Sequence, residues 1–355
     1  MQAGPRDNRT VARRAAGKAK EGVRSTVRAL PRGVRERIAG LMVPPEPAAP
    51  SEEAELIRRG ADIPFEIWER HGWHLTANHF YSTVPDTREL PDALWQRESE
   101  LPGIDMRDEQ QLAFLEDAAA RFGDELAALP RKQADAAGGG YFVDNGAFES
   151  VDAEVLYAMI RSAKPARVLE IGSGWSTLLS LRALEANRAE GAGDTAGRLT
   201  AIEPYPHAFV RDAIAARPDF AEMLDEQVQG LPLELFTSLE AGDILFIDSS
   251  HVLRIGSDVQ YEFLEILPRL RPGVLVHVHD IFLPGEYPRD WVFGPEHRFW
   301  NEQYLLQAYL IGNAHTEVAW GSSWMHRRHP EALEKAIPSY DRETRFPGSF
   351  WFRTV

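Results

Sequence analysis

The chain contains no cysteine in 355 residues. Disulfide bridges, thiolate zinc centres and cysteine nucleophiles are therefore excluded. The same absence fits a reducing compartment, and a cytoplasmic protein is expected. No run of about 18 apolar residues occurs, so no segment is expected to cross a bilayer. The first residues also lack the apolar stretch of a secretory signal. Positive charge is scarce outside one segment. Residues 1–40 carry eleven Lys or Arg against Asp7, Glu21 and Glu36, a net +8 that leaves −23 on the rest of a chain totalling −15. An acidic body offers no face for phosphates, so no nucleic-acid substrate is expected.

What is present is ordinary globular composition, 44% hydrophobic and 26% charged with nine Trp. It divides into three parts. Residues 1–50 form a basic arm ending in the Pro/Ala-rich spacer Pro44–Pro50. A solvated or partly helical tail is expected there, with a charge suited to peripheral contact with anionic surfaces. Residues 51–140 lean helical: Ser51-Glu52-Glu53-Ala54-Glu55 opens like a capped helix, and Leu112, Leu115, Ala118, Phe122 and Leu126 recur at helical spacing. This region is expected to cap the domain formed by residues 141–355.

From residue 150 onward apolar runs alternate with helical stretches. The strands expected are 167–171, 199–202, a weak one near 227–229, 244–247 and 274–278, with helices over 153–163, 176–186, 207–216 and 261–267. Such alternation predicts an α/β fold with a mostly parallel sheet and helices on both faces. Two later runs, 316–320 and 349–355, would close the sheet edge.

Four of these strands end in acids, Glu170, Glu203, Asp248 and Asp280. In open α/β sheets ligands sit outside the carboxyl ends of the strands. After Glu170 the chain reads Ile171-Gly172-Ser173-Gly174-Trp175-Ser176-Thr177. Gly172 and Gly174 permit a sharp turn and leave no Cβ between chain and ligand. Thr177 stands where the third glycine of a dinucleotide fingerprint would fall. Glu170, expected in the loop mouth, would repel a pyrophosphate and suit a cation. Glu203 could accept hydrogen bonds from both ribose hydroxyls, in an NAD site as readily as in any other nucleoside site. Tyr205 could flank an adenine.

Asp248-Ser249-Ser250-His251 sets a carboxylate and an imidazole three residues apart at one strand end. Histidine can take a hydroxyl proton near neutral pH, as transfer of a group to oxygen requires. Asp280 would join Asp248 from the neighbouring strand. Two carboxylates so close call for a proton, hydrogen bonds or a cation such as Mg²⁺, with Asp248 and Asp280 as its ligands.

The stretch from Glu170 to Gly174 resembles motif I of the class I S-adenosylmethionine-dependent methyltransferases. Ile247–His251, His277–Pro284 and Tyr287-Pro288-Arg289-Asp290-Trp291 resemble a bacterial set of that family. Asp248, His251 and Asp280 match the pattern of its metal-dependent O-methyltransferases for sugars and related natural products. The resemblance implies a Rossmann-like seven-stranded sheet with an antiparallel last strand, beneath a mainly helical N-terminal cap. It implies S-adenosyl-L-methionine held by Glu170, Gly172, Ser173, Gly174, Ser176, Glu203 and Asp248. Mg²⁺ is a further candidate cofactor. His251 and Asp248 are implied as the catalytic pair, acting on a hydroxylated small molecule or glycan. Tyr141, Asp144 and Asn145 are implied neighbours of the cofactor carboxylate, and His279 is a candidate second ligand or base. A homo-oligomer is compatible with all of this. The sequence also admits two other readings, an NAD-dependent Rossmann oxidoreductase and a non-catalytic methyltransferase-like scaffold recruited through the basic arm.

Overall fold

The structure, a computed structural model, describes residues 64–76, 78–192 and 197–355. The basic arm, its spacer and the helix expected from Ser51 lie outside the described residues. Contacts divide the chain into two units, with the boundary between Leu90 and Pro91. Within the first, Phe65–Arg70 is a short helix and Thr87–Glu89 a 3₁₀ turn, capped by Asp86, whose carboxylate accepts from the Arg88 backbone N–H at 3.0 Å.

The second unit is built on a seven-stranded sheet of order β3-β2-β1-β4-β5-β7-β6. The strands are β1 (Arg167–Ile171), β2 (Arg198–Ile202), β3 (Ala221–Leu224), β4 (Ile244–Ile247), β5 (Leu275–Val278), β6 (Thr316–Gly321) and β7 (Phe350–Thr354). β1 to β5 pair in parallel, while β7 runs antiparallel to both β5 and β6. Side chains alternate between two cores. Val168, Leu199, Ala201, Phe246 and Trp351 face one, and Leu169, Ile202, Leu245, Val276 and Phe352 the other. Both faces are covered, as near-continuous apolar strands require.

Register places the ends of the central strands level. Ile171 pairs with Ile202 and Ile247, and Ile247 pairs with Val278. Gly172, Glu203, Asp248 and His279 therefore leave the sheet side by side, at the point where strand order reverses between β1 and β4.

Two expectations need correction. The third strand lies at Ala221–Leu224, and Val228–Gly230 is a 3₁₀ turn instead. β3 is a half-exposed edge strand, so it lacks the apolar run that marks a buried one. The helix expected over 261–267 starts at Asp258 and turns π-helical over Glu262–Ile266. Leu115, Ala118, Phe122 and Leu126 of the Asp108–Ala127 helix are buried in the same core as Val155 and Ile160, so this helix is a layer of the sheet domain.

Candidate active site

The turn after β1 is assembled differently from its sequence reading. Glu170 is not in the loop mouth; only 1% of it is exposed. Its place in β1 points it to the side of the Trp175–Asn187 helix, where Ser176 Oγ donates to Oε1 at 2.6 Å. Burial pushes its carboxyl up to about 8, against the opposing hydrogen bonds from Ser176 and Thr177. The acid underpins the turn and leaves the ligand side to the backbone.

The two glycines serve separate ends. Gly172 has φ +89°, and a Cβ there would run into the Asp248 backbone carbonyl. It is glycine because the ends of β1 and β4 close on each other. A Cβ on Gly174 would meet nothing within 4 Å. Gly174 donates its backbone N–H to Thr177 Oγ1 at 3.0 Å, capping the helix.

Two cavities flank this turn and meet at Asp248. One, of about 480 Å³, is lined by Gly172, Glu203, Tyr205 and Gln229. The other, of about 520 Å³, is lined by Ser173, Gly174, Ser176, His279 and Asp280. Among the described residues Ser173 Oγ and Gln229 Oε1 have no hydrogen-bond partner although both atoms are buried. Each is a polar atom left for a ligand. Glu203 spends Oε1 on the Tyr205 backbone N–H at 2.8 Å, and Tyr205 stands 81% exposed on the rim. Tyr141 and Asn145 do not reach these cavities. They hold the loop before the Asp152–Ala163 helix, Tyr141 by donating to the Phe148 carbonyl and Asn145 by bonds to Phe142 and Phe148. Asp144 pairs with Arg345. The tip they support, Gly146–Phe148, lines the second cavity.

The ends of β4 and β5 carry ionisable groups. His251 Nε2 lies 3.3 Å from Asp248 and 3.5 Å from Asp280, and its Nδ1 lies 2.9 Å from Glu302. Burial alone would depress the imidazolium, but the bonds to Asp248 and Glu302 and the charge of Asp280 raise it well above the histidine range. Asp248 would be raised by burial, yet the charges of His279 and His251 hold it well below the carboxylate range. His251 and Asp280 both adopt the left-handed backbone region, φ 59° and 56°. Non-glycine residues rarely hold it, and it concentrates at functional sites.

His279 and Asp280 do not point to opposite faces as strand neighbours would, because β5 stops at Val278. Both line the second cavity and a third, of about 660 Å³, walled also by Trp291, Arg345 and Phe346. His279 Nδ1 lies 3.7 Å from Asp248 and 3.6 Å from Asp280, and its Nε2 lies 3.6 Å from Asp152. Asp248, His251 and Asp280 each offer one donor atom, and these atoms lie within 4.8 Å of one another. Two carboxylates and an imidazole form a donor set that fits a divalent cation.

Sequence reasoning missed three contributors. Asp152 accepts from the backbone N–H groups of Gly348 and Ser349 at 2.8 and 2.9 Å. Glu302 is wholly buried against His251, and Trp300 lies 4.2 Å from the His251 ring, centroid to centroid. Asp152 and Glu302 each open a helix, where an acid reads as a complement to the helix dipole. Their only signal was an acid flanking an otherwise apolar segment.

Residues 169–281 match a family described as a methyltransferase domain. An uncharacterized protein of Archaeoglobus fulgidus is 30% identical over 190 residues, which cover 52% of this chain and 80% of that protein. Among solved structures, this chain is similar to the apo form of CalS11, a TDP-rhamnose 3'-O-methyltransferase of calicheamicin biosynthesis. That match has 12% identity and a TM-score of 0.34, and covers 67% of this chain and 93% of the other. Among the described residues, no helix is long and apolar enough to cross a membrane.

Proposed function

The chain belongs to the class I S-adenosylmethionine-dependent methyltransferase family, and from that premise we propose that it methylates a hydroxyl oxygen of a small-molecule or glycan acceptor, with His251 as general base. The observation that carries the reading is the contact of His251 Nε2 with Asp248 and Asp280, whose carboxylates line the cavities. The bound cofactor supplies a methyl group on a sulfonium. Transfer to oxygen forms one C–O bond, breaks one C–S bond and requires the hydroxyl to give up its proton.

The residues divide that work. Ser173, Gly174 and Glu203 line the two cavities that meet at Asp248, and the unpartnered Ser173 Oγ and Gln229 Oε1 suit a polar ligand lying across them. Glu170 and Ser176 hold the turn from beneath. Asp248 and Asp280 orient the acceptor hydroxyl, and Nε2 of His251 takes its proton. Where a divalent ion such as Mg²⁺ is bound, Asp248 and Asp280 would hold it, and it would supply Lewis acidity toward an acceptor oxygen. Neutralising the two carboxylates also weakens the hold of Nε2 on its own proton, which a base must be free of before it acts.

One observation favours a second reading. His279 lines both the second and third cavities, while His251 lines neither and stands behind the carboxylates. His279 would then be the base and His251 a ligand. Single-turnover rates of His251→Ala and His279→Ala separate the two. The base variant should lose about 10²–10⁴-fold while S-adenosylhomocysteine affinity stays unchanged. Wild-type rates in His251→Ala would remove the assignment of that base. Binding of NADH in place of S-adenosylhomocysteine would remove the cofactor.

A further inference from the structure

The imidazole of His251 is gripped from one short segment outside the strand-end cluster, residues 300–302. Trp300 covers the ring at 4.2 Å between centroids. The backbone N–H groups of Asn301 and Glu302 both donate to the His251 carbonyl, at 3.1 and 3.3 Å. Asn301 Oδ1 accepts from the Leu253 backbone N–H at 2.6 Å. These contacts hold His251 in its left-handed backbone conformation and fix the plane of the ring.

The carboxylate of Glu302 completes the grip. Oε2 lies 2.9 Å from Nδ1, and among the described residues its other oxygen, buried, has no partner. Burial raises the Glu302 carboxyl, opposed by the hydrogen bond and charge of His251; in its ionised form it only accepts, and the shared proton then belongs to Nδ1. A neutral imidazole carries one N–H, and which nitrogen bears it is set by the bond the other makes. We propose that Glu302 is the positioning residue of this site: it holds the Nδ1 proton of His251 and thereby leaves the Nε2 lone pair facing Asp248, Asp280 and the reacting oxygen. Residue 302 lies beyond residues 169–281, the stretch that matches the methyltransferase family. The inference rests on the reading of His251 as the working imidazole, but not on the identity of the acceptor.

The test uses the full chain, ¹⁵N-labelled at histidine, with S-adenosylhomocysteine added and divalent ions removed by EDTA. Spectra are recorded at a pH where the ring is neutral. His251 is assigned by the signal lost in His251→Gln. The expected pattern places the proton on Nδ1 and leaves Nε2 bare. In Glu302→Leu the proton should move to Nε2 or divide between the nitrogens. kcat should fall about 10- to 100-fold, as for lost outer-shell partners, with acceptor KM and S-adenosylhomocysteine affinity within about twofold, whereas a merely structural role would lower affinity together with kcat. If Glu302→Leu does not fold, the wild-type spectrum still decides. Should no acceptor be methylated at all, the proton's position remains readable, so that failure is distinct from failure of this inference. A wild-type His251 bearing its proton on Nε2, or a Glu302→Leu spectrum unchanged from wild type, overturns it.

Discussion

The two halves of the strand-end face are built from different materials. At β1 and β2 the surface is mostly backbone, with Gly174 open, Ser173 unpartnered and the one buried acid, Glu170, turned away beneath the turn. At β4 and β5 the surface is side chain: Asp248, His251, His279 and Asp280, held by Asp152 and Glu302 from distant segments. The first half can be specified by a few neighbouring residues. The second is specified only when several parts of the chain meet.

The sharpest way to break this contrast is at the two glycines. Gly172→Val sets a branched side chain at φ +89° against the Asp248 carbonyl, so the protein should fail to fold rather than merely lose its ligand. Gly174→Val, whose Cβ meets nothing, should melt like wild type and lose S-adenosylhomocysteine affinity by calorimetry. Equal melting temperatures for both variants would erase the distinction between a packing glycine and a binding one.

A smaller effect is expected at Asp152. Asp152→Ala leaves the Gly348 and Ser349 N–H groups without their acceptor and removes the carboxylate 3.6 Å from His279 Nε2. Stability by denaturant titration should fall by about 2–5 kcal/mol, the range for stranding buried polar partners. A loss under about 0.5 kcal/mol would show that the chemical half does not depend on its remote supports.

Glu170 gives a pH signature. Its carboxyl is raised from 4.5 to about 8 by burial, against Ser176 and Thr177. The unfolded chain ionises first, so this group's stabilising contribution is whole below pH 4.5 and is lost as pH rises toward 8. Glu170→Gln should therefore gain stability relative to wild type across that window, with a difference that levels off above it. A difference independent of pH would mean that the acid is ionised in the folded protein.

The smallest effect belongs to the rim. Tyr205 is 81% exposed, and Tyr205→Ala should weaken S-adenosylhomocysteine binding by less than about tenfold, under 1.4 kcal/mol. A larger loss would make the cofactor half depend on a side chain after all.

The same contrast governs what could be read from the sequence. β1, β2, β4 and β5 announced themselves as apolar runs ending in polar residues, and β1 and β4 fall at the expected residues. β3 did not, because Glu222 is exposed and Met223 and Leu224 only half-buried. Asp248, His251 and Asp280 were legible because strand ends bring them together. Glu302 was not: it meets His251 across 51 residues of chain, and Asp152 meets Ser349 across 197. The side to which Glu170 turns was hidden for another reason. A strand's register fixes which face a side chain takes, and a lone charge among apolar residues does not reveal it.

The strand order has a consequence for how the protein comes into being. β7, the last strand in chain order, lies between β5 and β6. While a ribosome is still making residues 279–349, β5 is an open edge, and the Asp152 carboxylate waits for amides that do not yet exist. The β1–β4 half can take shape during synthesis, whereas the β5 half closes only as Phe350–Thr354 slides into its slot. An unpaired β5 of Leu275-Val276-His277-Val278 is a template for another chain's strand. Crowded polysomes should therefore be the place where this protein is most prone to stick to its own siblings.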